Sequence, residues 1–264
     1  HAYSQTPAHQ ACLNGPLSTQ GSKIVNAKGK ECVLTGVNWF GFETQNHVVH
    51  GLWTRGYDDM LAQISSLGFN LIRMSFSIEA VESEEITSID FSAGRNADLA
   101  GSTPLGAMEL IIDSAAEQGI LVLLDLHSLK DDNHFHGLWY DDAYSEADFS
   151  RAWETIGKRF GEKPNVIGAD LKNEPHGEAS WGDGSQTDWR AEAEKIGNEI
   201  HRYAPDWLIV VEGIEGWTEG QQLDRHWWGG NLEGVRINPI HLDQPNKLVY
   251  SLHEYGPGVW AQPW

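Results

Sequence analysis

Six nearly continuous apolar runs recur along the chain, and each gives out at a polar residue. They are VLTGVNW (33–39), LIRMSF (71–76), LVLLDLH (121–127), VIGADLKNE (166–174), LIVVEG (208–213) and LVYSLHEY (248–255). Runs without strict alternation fit parallel strands covered on both faces. Between them the apolar period becomes helical. Met60, Leu61, Ile64 and Leu67 form one stripe, with Gly68 placed to stop it. Phe149, Trp153, Ile156 and Phe160 form a second, opened by Ser145 as a cap and Asp148 in the first turn. Trp189, Ala193, Ile196 and Ile200 form a third, bounded by Pro205. Such alternation predicts a (β/α) barrel or a doubly wound sheet.

Two observations choose between these. No glycine-rich phosphate loop follows any strand, which weakens the dinucleotide-binding version of the doubly wound sheet. The unusual polar residues also sit at strand C-terminal ends: Asn38, Arg73, His127, Asn173, Glu174, Glu212, His253 and Tyr255. In a barrel all such ends converge on one mouth. The distribution therefore favours the (β/α) barrel over the doubly wound sheet. Residues 1–32 are expected to form an N-terminal extension with a hairpin turn at NAKGK (26–30), and residues 33–264 the barrel part.

Charge and cysteine content narrow the setting. The formal net charge of −20, from 38 acidic and 18 basic residues, excludes nucleic acid as a partner, because phosphate binding needs clustered Lys and Arg. The scattered acids read as a solvated surface, with adaptation to high salt as the sharper alternative. No apolar run reaches the roughly 18 residues of a membrane-spanning helix. The start, HAYSQTPAHQ, lacks the basic and apolar segments of a secretory leader, so any such leader is expected to have been removed already. Cys12 and Cys32 flank the hairpin turn, and a disulfide between them implies a secreted, extracellular protein. The alternative is two unrelated thiols in a cytosolic protein.

The stretch GADLKNEPHG (168–177) carries the candidate chemistry. Glu174 at a barrel mouth is expected to be partly desolvated and near other acids, both of which raise a carboxyl pKa and suit a general acid. Asn173 can donate to a sugar hydroxyl, and Arg73 can hold a neighbouring carboxylate ionised. His127 and His253 suit the orientation of hydroxyls or carboxylates, and Tyr255 can hydrogen-bond a carboxylate. Each alone is as readily a structural ion pair, cap or interior side chain. Their shared register makes the joint pattern stronger.

Flat rings on the mouth side suit stacking on pyranose faces, which marks Trp39, Trp139, Tyr140, Trp181, Trp228 and Trp260, with His50 beside them, as substrate-binding candidates. Ordinary core packing is the competing reading for each. Trp153, Trp189 and Trp207 read as core. The loop DDNHFHG (131–137) holds His134 and His136, but two histidines without a third fixed ligand favour cleft lining over a metal site. No metal or cofactor is expected, and no Gly-x-Ser-x-Gly elbow supports serine hydrolase chemistry.

The segments VNWFGFET, GFNLIRMSF, LLDLHS, GADLKNEPHG, WWGGNL and LVYSLHEYGP together resemble family-5 glycoside hydrolases of the cellulase type. The likeness runs from about Lys23 onward. It implies a TIM (β/α)8-type barrel that hydrolyses β-1,4-glucan with retention, with Glu174 as acid/base and Asn173, Arg73, His127, His253 and Tyr255 around it. Residues 33–264 are then a partial barrel holding strands one to six. Mannanase or xyloglucanase specificity, or a non-catalytic carbohydrate-binding remnant, are the alternatives. Two local departures are MSF after Arg73, where the family usually has proline, and SL after His127. The resemblance also implies a nucleophilic glutamate from a seventh strand, which the six runs do not include. Glu212 and Glu254 are poor substitutes. Strands seven and eight are accordingly expected from another polypeptide, a C-terminal fragment or a second chain that completes the barrel.

Overall fold

The computed structural model describes residues 11–13, 15–132 and 134–259. Six parallel strands form one sheet in strict chain order: β4 (Gly36–Phe42), β5 (Leu71–Ser77), β6 (Leu121–Ser128), β7 (Val166–Asp170), β8 (Leu208–Glu212) and β9 (Leu248–Ser251). A separate antiparallel sheet precedes them, made of β1 (Ser18–Gln20), β2 (Lys23–Val25) and β3 (Glu31–Cys32).

The helices follow local signals. Ser145 and Asp148 form a reciprocal capping box that opens the helix Glu146–Phe160. Asp188 caps Trp189–Ile200 by accepting from Ala191 N–H. In the first stripe Leu67 falls just past the helix Tyr57–Ser66 and is exposed, because Gly68 turns the chain at φ +89°. A further helix, Pro104–Glu117, lies outside the three stripes and starts from a Thr103 cap followed by proline.

Alternation along the strands separates two kinds of interior. Ile72, Met74 and Phe76 of β5, Leu124 and Leu126 of β6 and Ile209 and Val211 of β8 pack into the large core under the helices. The other parity faces inward. Leu71, Leu123, Leu208 and Val249 gather there with Cys12, Leu17 and Cys32 into a smaller cluster. Beyond it the same face turns polar, with Ser75, Asp125 and Asp170 side by side in register.

The N-terminal sheet closes that inner cluster. Thr19 N–H donates to Asn246 O at 2.8 Å, and Lys247 Nζ donates to Leu17 O at 2.7 Å across 230 residues of sequence. The segment before β1 is therefore tied to the start of β9. A disulfide joins Cys12 to Cys32, as the spacing around the turn predicts.

Several strand limits differ from the apolar runs. The first strand occupies Gly36–Phe42, three residues further along than its run. The fourth ends at Asp170, well before Glu174, which takes a left-handed φ of +45° outside the strand. Removing the disulfide by Cys12→Ser with Cys32→Ser is expected to cost about 3 kcal/mol of stability. Urea unfolding of the oxidised and substituted proteins measures this, and equal midpoints would deny the crosslink a role.

Candidate active site

One buried arginine organises the polar end of the inner face. Arg73 lies in the layer of Asn38 and Leu123, one step below Ser75, Asp125 and Asp170. From there its guanidinium reaches three carboxylates: Asp125 at 2.9 Å, Asp170 at 2.8 Å and Glu212 at 3.1 Å. It also donates to Asn173 Oδ1 at 3.1 Å. Burial works against its charge, but the three carboxylates outweigh that and raise its pKa.

The acids around it are held unequally. Burial opposes ionisation of Asp125, yet Arg73 and His127 prevail and keep it at about 2. Asp170 is pushed well up, because burial and the charges of Glu212 and Asp125 exceed the help from Arg73. The cluster thus favours the proton on Asp170. Asp125 Oδ2 also accepts from Ser75 at 2.9 Å and meets His127 Nδ1 at 2.7 Å, which fixes the imidazole ring.

Glu174 follows β7 and turns out of the sheet. Its Oε1 receives His253 Nδ1 at 2.9 Å and the Tyr255 hydroxyl at 3.3 Å. Its backbone N–H donates to Glu212 Oε2 at 2.8 Å. The other His253 nitrogen, Nε2, faces Glu212 Oε1 at 3.1 Å. Burial lowers a histidine pKa, but with a carboxylate at each nitrogen His253 is raised to about 10. Its imidazolium reverses the expectation for Glu174. Burial does push that carboxyl up, but the His253 hydrogen bond and charge, with His127 and Tyr255, bring it below its ordinary value.

Lys172 is fully enclosed beneath this turn and donates to the carbonyls of Asn173 at 2.6 Å and His136 at 2.8 Å. Burial drives its ammonium down to about 8 despite the surrounding acids. A cavity of about 440 Å³ lies above the cluster. Arg73, His127, Asn173, Glu174, His253 and Tyr255 all line it, together with Phe40 and Phe135. His134 also lines it, whereas His136 is buried with Asp141 3.6 Å from its Nε2.

The aromatic candidates divide. Trp139 and Trp181 are corrected from sugar platforms to core, at 1% and 4% exposure. The Trp139 ring packs on Trp189, and Trp181 Nε1 donates to Asn238 O. Trp39 is likewise buried with its Nε1 on His50 O, and it points away from the cavity. His50 binds Thr44 Oγ1 at 2.9 Å between the rings of Phe40 and Trp53. Tyr140 borders a different surface recess, with Ser145 and Glu146. Trp228 stacks on His176 at 3.9 Å in a depression that shares His134 and Phe135 with the cavity. Trp260 lies outside the described residues.

Sequence reasoning passed over Asp125, Asp170 and Lys172 as parts of the site, and placed Glu212 at the mouth only as a poor substitute for the nucleophile. A signal existed for the first two. Asp125 alternates with His127 in LVLLDLH and so shares its face, and Asp170 is a lone acid within an apolar strand. Among the described residues, Asp170, Glu212 and His253 are the one trio whose ligand atoms lie close enough, within 4.8 Å, to hold a metal. Arg73 and the His253 imidazolium already place positive charge there, so the trio is a poor cation site.

The family model described as Cellulase (glycosyl hydrolase family 5) matches residues 25–264. The chain belongs to this family. An endoglucanase of Paenibacillus polymyxa is 45% identical over 266 residues, covering 100% of this chain and 66% of the relative. The major extracellular endoglucanase of Xanthomonas campestris pv. campestris is 42% identical, covering 91% of this chain and 49% of that protein. This chain therefore spans about two thirds of the first relative and about half of the second. Among solved structures, an endocellulase from Pyrococcus horikoshii in complex with cellotetraose has a TM-score of 0.84 at 45% identity, covering 98% of this chain and 73% of that one.

Two outcomes follow from the geometry. Trp139→Ala is expected to cost about 3–5 kcal/mol in urea unfolding, as for a packed core ring. A substitution that leaves stability intact would return it to the surface. For His253 the folded pKa is raised, so its stabilisation is complete below about pH 6.5 and is lost as pH climbs through about 10. The stability gap between the wild type and His253→Gln should shrink across that window, and a gap independent of pH would rule out the imidazolium.

Proposed function

We propose that the protein is a secreted, endo-acting β-1,4-glucanase that retains anomeric configuration, with Glu174 as acid/base. The observation that carries this reading is the Glu174 carboxyl, fixed by His253 and Tyr255 beside Asn173 at the floor of a cavity. Glu174 protonates the departing glycosidic oxygen and then deprotonates the water that releases the glycosyl-enzyme. Asn173, oriented by Arg73, is positioned to hydrogen-bond the sugar next to the scissile bond. Phe40 and Phe135 supply apolar wall for pyranose faces. The disulfide and the extracellular Xanthomonas relative support secretion.

Retention needs a second carboxyl about 5–5.5 Å from the first. Glu212 is unsuited, since both its oxygens are engaged and it is wholly buried. Glu254 is exposed outside the cavity lining, and Glu43 in the loop after β4 is anchored on Gly41 N–H. We assign the nucleophile to a polypeptide segment beyond these 264 residues, a C-terminal fragment or second chain that completes the barrel. Such a segment would also change the electrostatics of Glu174, whose carboxyl is held below its ordinary value by the His253 hydrogen bond and charge. A facing carboxylate would repel its charge and raise it toward the range a general acid needs.

Glu174→Gln in the complete protein is expected to lower carboxymethyl-cellulose turnover by about 10²–10⁴-fold with folding intact. Unchanged turnover would remove Glu174 from the mechanism. Glucan binding without turnover by the unsubstituted complete protein would instead favour the non-catalytic remnant.

A further inference from the structure

Two buried side chains that take no part in the chemistry above meet at a single peptide group. Lys172 Nζ donates to Asn173 O at 2.6 Å, and Glu212 Oε2 accepts from Glu174 N–H at 2.8 Å. That carbonyl and that N–H belong to the same peptide unit, so an ammonium holds one end and a carboxylate the other. Hydrogen bonds to charged groups are stronger than neutral ones, and both side chains here are shielded from water. The residue that follows is Glu174 itself, at φ +45°, a conformation that persists in a side-chain-bearing residue only when its surroundings over-determine it. Gly229 presses on the same turn. A Cβ there would stand 2.5 Å from Glu212 Oε2 and 3.1 Å from Glu174 Cα.

We propose that Lys172 and Glu212 are positioning residues, a charged clamp on the Asn173–Glu174 peptide that sets the direction in which the Glu174 carboxyl enters the cavity. The proposal rests on Glu174 being the acid/base and deepens that reading. Glu212 acts twice, because its Oε1 also faces His253 Nε2, and His253 Nδ1 meets the Glu174 carboxyl. One side chain thereby fixes both the backbone of Glu174 and, through the imidazole, its functional end. The other titratable and charged groups facing the clamp are Arg73, Asp125, His127, His136, Asp170, Glu174, His253 and Tyr255.

The test uses Glu212→Gln and Lys172→Met in the complete protein. Each is expected to lower kcat on carboxymethyl-cellulose by about 10²-fold, the loss that a misplaced reacting group produces, with KM changed much less. Glu212→Gln should also move the Glu174 carboxyl titration, followed by ¹³C NMR, to lower pH, because a neighbouring like charge is removed while His253 stays protonated in the range where Glu174 titrates. A purely structural role would leave that titration in place. Folded variants with wild-type kcat and an unmoved Glu174 titration would overturn the clamp. Should the variants not fold, hydrogen exchange in the wild type decides: the Glu174 amide is expected to be protected, and exchange at the rate of an exposed loop overturns the proposal. The NMR and exchange measurements need no turnover, so they judge the clamp even if Glu174→Gln shows the acid/base assignment to be wrong.

Discussion

The arrangement of the site depends on the contact between Arg73 and three buried carboxylates. Asp125, Asp170 and Glu212 sit at the ends of three different strands, each nearly or wholly removed from water. Without a cation among them, ionising even Asp125 and Glu212 would cost several kcal/mol per ion through repulsion and desolvation. A guanidinium answers this where an ammonium could not, because its planar fork presents donors in several directions at once. The inward parity of β5 puts that fork one layer below the acids, so the side chain rises through the axis of the sheet. The polar end of the barrel is therefore set by strand register before any loop is considered.

From this centre a chain of contacts leads outward. Glu212 binds Arg73 and His253, and His253 reaches Glu174 at the cavity surface. Each link transfers charge preference to the next. The imidazolium between two carboxylates keeps Glu174 ionised, the state suited to accepting a proton rather than giving one. Catalysis by an acid/base requires both states in turn. For the acid/base role proposed for Glu174, the electrostatics of the described residues thus supply one half of that cycle, and a further negative charge would supply the other.

Much of this could be read from the sequence, and the limits have physical causes. The six strands stood out because strands covered on both faces must be apolar along their length, and the polar residues that end them marked the mouth. The family likeness rested on the same strand ends. Strand limits were less legible: the VIGADLKNE run continues past Asp170, but the backbone leaves the sheet there and Glu174 adopts a left-handed turn that composition does not announce. The tryptophans failed as markers for a related reason. A large ring with one polar atom serves equally well in a core, and Trp139 and Trp181 were claimed by helix packing that pattern alone cannot rank. Lys172 escaped notice, and Glu212 was weighed only as a nucleophile, because their roles are exercised on a backbone carbonyl and amide, groups every residue carries.

The tie between the segment before β1 and the start of β9 bears on how the molecule is assembled. Contacts such as Lys247 to Leu17 join positions separated by almost the whole chain, and such closures slow folding because their entropy must be lost before they return any stability. During synthesis the amino-terminal sheet waits, its inner apolar side uncovered, until the ribosome has delivered β9. The Cys12–Cys32 crosslink spans only 20 residues and can hold that waiting piece in shape. An oxidising compartment would then assist the birth of the protein as much as its endurance.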